Sequence, residues 1–305
     1  MGHPLNYTAE LDAINPPGSM GVRGWSSPAE RTNPSGGTMQ ATRALSAAAK
    51  ARIAAERQPV SAGAFRPSRI SGVKSDQVGV GIIAYYGLDD VKRALASIMA
   101  HGGEKYHVAV FDNSENFEVG QLVTDSFPSV HYERSPYNVG CSNARNRLAE
   151  TFAALGIQHF IIQDQDVEWV ADPVPQMLKV FADCPDTGIV GWKLATEQMG
   201  PRYKIDGTGT IPELPGMCNM YSLDAVASIP GWNPAMFMYR FDSLFCIQAR
   251  ARGFKTRVVM SGRCAVEHNH PHRGIMRYPH WRREQMRSVA IFRQVLTAEG
   301  LTSAL

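Results

Sequence analysis

The spacing of apolar positions divides the chain into two unlike parts. Residues 1–77 carry almost no apolar periodicity, and clusters such as Asn15-Pro16-Pro17-Gly18-Ser19 and Asn33-Pro34-Ser35-Gly36-Gly37 are turn and linker chemistry. Within them the Ala-rich stretch Ala41–Arg57, bearing Lys50, Arg52 and Arg57, predicts an isolated helix. It has too few large apolar side chains to bury a face, so it is at most marginally stable without a partner. Residues 1–77 are therefore read as a disordered, low-complexity N-terminal extension.

From Val78 the pattern changes. Val78–Tyr86 is an apolar strand, and Asp89-Asp90 cap a helix carrying Val91, Leu95, Ile98 and Met99 at helical spacing. Val108–Asn113 is a second strand, Val130–Tyr132 a short one, and Asn138–Asn146 a turn leading into a helix that runs to about Ala154. The run Phe160–Trp169 is apolar and β-branched until it breaks at Asp164-Gln165-Asp166. Ile189–Trp192 is another strand, a helix ends at Arg252-Gly253, and Thr256–Met260 is the last strand. Strands alternating with helices predict an α/β protein with a mainly parallel, doubly wound sheet. Such sheets bind ligands beyond the carboxyl ends of their strands, so Asp112, Asp164 and Asp166 should share one crevice. Near the C-terminus, Arg282–Leu296 is amphipathic, with Met286, Val289, Phe292 and Leu296 forming the apolar face.

Two carboxylates one residue apart repel and are costly to desolvate unless a positive partner sits with them. A hard divalent cation, Mn2+ or Mg2+, is the natural partner, because it takes oxygen ligands and shares them with phosphates. Gly79-x-Gly81-x-x-Ala84 fits a loose dinucleotide-binding pattern, but its glycines lie inside the strand instead of the following turn. His268, His270 and His272 alternate, which on a strand would build a transition-metal site and a metal hydrolase; Pro271 argues against a regular strand there.

Composition narrows the class. The 305 residues are 44% hydrophobic, with a formal charge of +3, which suits one large globular unit and says little about partners. Five dispersed cysteines without a Cys-x-x-Cys pair suggest reduced thiols. No apolar run approaches the roughly 18 residues of a transmembrane helix, and the N-terminus lacks a secretory pattern. The expectation is a soluble, cytoplasmic protein. Between Arg250 and Arg293 arginines greatly outnumber acidic residues, a basic region suited to a diphosphate, an anionic membrane surface or an anionic polymer such as nucleic acid.

Taken in order, Val80–Tyr86, Phe111-Asp112-Asn113, Asn138-Val139-Gly140 with Ala144-Arg145-Asn146, and Asp164-Gln165-Asp166 resemble a family 2 glycosyltransferase. Pro215-Gly216 to Tyr221, Gly231-Trp232-Asn233, Phe237 and the eleven-residue step from Asp242 to Gly253 resemble its acceptor side. The resemblance implies a GT-A fold over residues 78–298: a nucleotide-sugar half (78–170), a continuous acceptor half (171–275) and a basic C-terminal helix (276–298). It also implies metal-dependent, inverting transfer from a UDP- or dTDP-sugar to an acceptor it does not identify. Asp112 would then accept from the imide N–H of the donor's base, with Asn138, Arg145 and Asp164 in the donor site. Asp166 and His268 would hold the metal, and Asp242 would be the general base. The sequence departs from the family at Ala84, where proline is usual, at Phe241, where a glutamate is usual, and at Gln248, where arginine is common. Phe241 keeps open a second class, a nucleotide-sugar-binding protein without activity.

Overall fold

The computed structural model describes residues 77–193, 205–229, 231–260, 262–268 and 280–302. The expected N-terminal extension with its Ala41–Arg57 helix, and His270 and His272, lie outside the described residues. Seven strands form the main sheet: β1 (Val78–Ala84), β2 (His107–Asp112), β3 (His131–Arg134), β4 (His159–Asp164), β6 (Thr187–Trp192), β7 (Cys218–Ser222) and β8 (Lys255–Val259). Their order is β3-β2-β1-β4-β7-β6-β8. The first four neighbours pair in parallel, as do β6 and β8, and β7 alone runs antiparallel, between β4 and β6. A separate ribbon joins β5 (Val167–Trp169) to β9 (Val266–His268).

The period-two alternation of the strands sorts their side chains onto two faces. Ile83, Phe111, Phe160, Ile162 and Tyr221 pack with Ala144, Leu148 and Phe152 of helix α3 (Gly140–Ala154), and with Val226 of α5 (Leu223–Ser228). Leu244 and Phe245 of α6 (Phe241–Ala251) and Phe292 and Leu296 of α7 (Trp281–Ala298) complete this layer. On the other face Val80, Ile82, Val110 and Ile161 meet Val91 and Leu95 of α1 (Leu88–Ala100). Val119 of α2 (Glu118–Ser126) and Met177 of α4 (Val174–Asp183) lie there too. Helices on both faces make the sheet doubly wound. Gly79 and Gly81 have a packing role: a Cβ on Gly79 would lie 2.6 Å from the Phe152 ring, and one on Gly81 2.9 Å from Leu148. Their bareness lets α3 lie close on β1, which accounts for the dinucleotide-like spacing without a dinucleotide.

Four local expectations are corrected. β1 stops at Ala84, because Tyr86 turns into the left-handed region (φ 41°). Asp89 and Asp90 do not cap α1: the helix starts at Leu88 after Gly87, whose carbonyl accepts from Val91 N–H at 3.0 Å, and Asp90 pairs with Arg93 instead. β8 is not the last strand, since β9 follows and pairs with β5. On α7 the buried stripe is Glu284, Ser288, Phe292 and Leu296, and Met286 is 56% exposed. Four-residue steps keep that stripe on one ridge, and Met286 lies roughly 200° round the helix from Glu284.

Candidate active site

Register brings the strand-end carboxylates abreast. Ile83 pairs with Asp164 and Ala84 with Asp112, so the two aspartates flank the end of β1 on opposite sides. Asp112 has no exposed surface; its Oδ1 accepts from Ser114 N–H at 2.8 Å and its Oδ2 from the Tyr132 hydroxyl at 2.9 Å. Asn138 lies at the entry to α3, where its Oδ1 accepts from Gly140 N–H at 2.9 Å. Its role in the structure is to shape that turn, together with buried Asn113, which accepts from Val139 N–H at 3.2 Å.

Asp164 ends β4 and is 45% exposed along its side chain, while Arg145 of α3, at 0%, reaches it from beneath at 3.4 Å. Desolvation of its covered side raises the pKa of the Asp164 carboxyl, against the pull of Arg145 and with the push of Asp166. Arg145 Nη2 also donates to the Gly216 carbonyl at 2.5 Å, and its guanidinium lies 4.7 Å over the Phe241 ring. Gly216 N–H in turn donates to Asp242 Oδ2 at 2.9 Å, while Oδ1 accepts from Ser243 N–H at 2.8 Å. One glycine thus links the guanidinium that contacts Asp164 to the carboxylate of Asp242. A side chain at 216 would intrude, since its Cβ would lie 2.8 Å from Arg145 Nη2. Asp242 is not the N-cap of α6, a position held by Arg240; it lies in the first turn, where the positive helix end favours a carboxylate. Phe241, replacing the usual glutamate, offers Arg145 a π-face in place of a charge.

Asp166 sits in the turn between β4 and β5. The pairing of Val167 with His268 across the β5–β9 ribbon brings the His268 imidazole 3.3 Å from Asp166 Oδ1. Burial depresses the imidazole, but the hydrogen bond to Asp166 and the charges of Asp166 and Asp164 outweigh it and raise its pKa. Among the described residues no group of three or more His, Cys, Asp and Glu forms a complete metal cage. The Asp166–His268 pair, with Asp164 two residues away, is a partial oxygen and imidazole set. A carboxylate oxygen and an imidazole nitrogen are donor types that a divalent cation such as Mn2+ accepts.

Several residues that organise the site were not legible in the sequence. Ser142 Oγ donates to the Met236 carbonyl at 2.6 Å, and Asn146 exchanges two bonds of 2.8 Å with the Trp232 main chain. These side chains of α3 tie the segment before Asp242 to the half that carries Asp112 and Asp164. Asn146 stood in the quoted Ala144-Arg145-Asn146 motif, but its tie to the Trp232 main chain and that of Ser142 to Met236 had no local signal.

Comparison with known proteins agrees with this architecture. The mannosyltransferase PcManGT from Pyrobaculum calidifontis, solved with GDP-Man and Mn2+, matches with a TM-score of 0.53 and 16% identity over 82% of this chain and 73% of its own. GalNAc-T7, solved with UDP, GalNAc and Mn2+, matches with a TM-score of 0.50 and 14% identity over 65% of this chain and 44% of its own. For S. aureus TarS the TM-score is 0.50 at 14% identity, over 70% and 39%. This chain therefore spans less than half the length of the latter two, and at such identities the likeness establishes a shared fold. A sequence search of curated proteins found no match. The profile of Glycosyl transferase family 2 matches residues 80–247, more than half of the chain. With the carboxylate-lined end of a doubly wound sheet inside that span, the chain belongs to glycosyl transferase family 2 and is a glycosyltransferase of GT-A fold.

Proposed function

We propose that this glycosyltransferase is metal-dependent and inverting, with a UDP- or dTDP-sugar as donor. The observation that carries the reading is the Gly216 link, which holds Asp242 within one residue of the guanidinium bound to Asp164. Inversion needs a base on the side of the sugar away from the leaving diphosphate. Asp242 takes the proton of the acceptor nucleophile, whose lone pair forms the new bond to the anomeric carbon. The old C–O bond breaks, and its electron pair leaves with the diphosphate. A divalent cation held by Asp166 and His268 would neutralise charge on that diphosphate. Arg145 and Asp164 orient the donor, Asn138 shapes the turn beside it, and Asp112 selects a uracil or thymine ring. Because Asp112 is fully buried, that selection requires Tyr132 to give way or to act in its place.

In this reading residues 78–170 bind the donor and 171–275 the acceptor. The basic region 250–293 faces an anionic acceptor or surface, and residues 1–77 are an extension. Arg282 and Arg283 on α7 are exposed beside Met286, in keeping with an anionic contact. Among the described residues no helix is long and apolar enough to cross a membrane. All five cysteines are unpaired, which supports a reducing, cytoplasmic setting. The test is a screen of nucleotide sugars for Mn2+-dependent hydrolysis or transfer. Turnover of a uridine or thymidine donor is expected. Metal-dependent nucleotide binding with no turnover of any donor would instead favour the inactive binding protein suggested by Phe241.

A further inference from the structure

Gln165 lies between the two site aspartates, yet the chemistry above gives it no task. It is 7% exposed, and its carboxamide is engaged by the main chain of Tyr85 and Tyr86. Oε1 accepts from Tyr85 N–H at 2.6 Å, and Nε2 donates to the carbonyls of Tyr85 and Tyr86 at 3.2 and 3.4 Å. A side-chain amide that bonds both main-chain groups of one residue reproduces a strand neighbour. It does so where β1 has left the ladder, one residue past Ala84. The segment it holds is a strained one, since Tyr86 has φ 41°, disfavoured for a side chain of that bulk.

The same segment is held from the other side. Tyr86 N–H donates to Ser114 Oγ at 3.0 Å, and Ser114 N–H donates to Asp112, which also accepts from Tyr132. Hydrogen bonds thus run from β3 across the ends of β2 and β1 to the turn bearing Asp164 and Asp166. They fix two half-buried tyrosine rings, 4.7 Å apart at 72°, beside the residue expected to meet the donor's base. The fit around Gln165 is tight: a Cβ on Gly87 would lie 2.3 Å from its Nε2.

We infer that Gln165 is a positioning residue for nucleobase recognition. It holds the Tyr85–Tyr86 turn as the aromatic wall of the base pocket and ties that wall to the turn carrying the metal ligands. The inference rests on the donor reading above, because it places a nucleoside diphosphate in this crevice. Gln165 does not touch the reacting atoms, so its effect falls on the base and not on the diphosphate.

The test compares Gln165→Glu with the unaltered protein by calorimetry in Mn2+, titrating UDP, dTDP, GDP and inorganic pyrophosphate. Glutamate keeps the length of the side chain but replaces the two donated bonds with repulsion between its oxygens and the two carbonyls. Loss of two such bonds predicts about a tenfold or greater weakening of the preferred nucleoside diphosphate, with pyrophosphate affinity changed by less than about twofold. Gly87→Ala, which crowds the same amide, should reproduce that split, and it carries the test should Gln165→Glu not fold. Unchanged nucleotide affinity, or an equal loss for nucleotide and pyrophosphate, overturns the positioning role while leaving the donor reading intact. Failure of the unaltered protein to bind any of the nucleotides overturns both.

Discussion

Asp242, the proposed general base, is held by two main-chain donors. The N–H groups of Gly216 and Ser243 each donate to one of its oxygens, and the start of α6 favours its charge. Asparagine at this position keeps an oxygen for Gly216 but cannot take a proton. Asp242→Asn should therefore lower transfer by about 10²–10⁴-fold, with nucleotide affinity within about threefold in parallel titrations. A fully active variant would remove Asp242 from the mechanism. Arg257 shows the opposite case, a buried cation with a structural task. It is 4% exposed and bonds Thr187, Thr208, Thr210 and Asp186, anchoring the segment that re-enters the described chain at Ile205. Arg257→Met should cost about 1–3 kcal/mol in chemical denaturation, because buried Thr187 loses its donor and the bonds that hold Thr208, Thr210 and Asp186 go with it. Hydrogen bonds from Arg257 and Lys255 lower the Asp186 pKa, so its contribution is present above the ordinary carboxylate value and fades as pH falls through the lowered one. The acid limb of the stability profile should accordingly flatten in Asp186→Asn, and an unchanged profile would deny the pair a stabilising role.

At the scale of elements, the contact of α3 with β1 depends on what β1 lacks. Gly79→Ala would drive a methyl group to 2.6 Å from the fully buried Phe152 ring, so the variant should lose about 1–3 kcal/mol of unfolding free energy. Equal denaturation midpoints would mean that the ring yields freely. The strands up to β4 and the helices α1 and α3 were legible because period-two and 3.6-residue patterns are local and their apolar faces are continuous, whereas α2, nine residues with only Val119 and Val123 buried, was not expected. The short β9 carried no comparable signal, since three residues show no period and its partner β5 lies far earlier in the chain, 101 residues at the pair Val167–His268 (268 minus 167). The true face of α7 was obscured for another reason. Glu284 and Ser288 are polar by type but buried by position, while Met286 is apolar and exposed. Residue type outweighed geometry there.

At the scale of the whole molecule, a parallel set of strands places the ends of β1, β2 and β4 at one edge, and the chain after β6 folds back onto it through β7. That topology was foreseen as mainly parallel, but the one reversed strand was not, because Cys218–Ser222 carries no sign of direction. The carboxylates were legible by their positions at strand ends. The linkage among them was not, because it runs through Gly216 and through side chains of α3 whose partners lie 86 and 94 residues away. All of these links converge on the crevice proposed above to hold a nucleoside diphosphate with a divalent cation. Calorimetric titration of UDP and dTDP into the full chain, with Mn2+ and then with EDTA, and repeated for Asp166→Ala, examines that claim most directly. Saturable binding in Mn2+, lost with EDTA and in the folded Asp166→Ala protein, is the predicted result. Binding that is indifferent to the metal, or none for any nucleoside diphosphate, would contradict it.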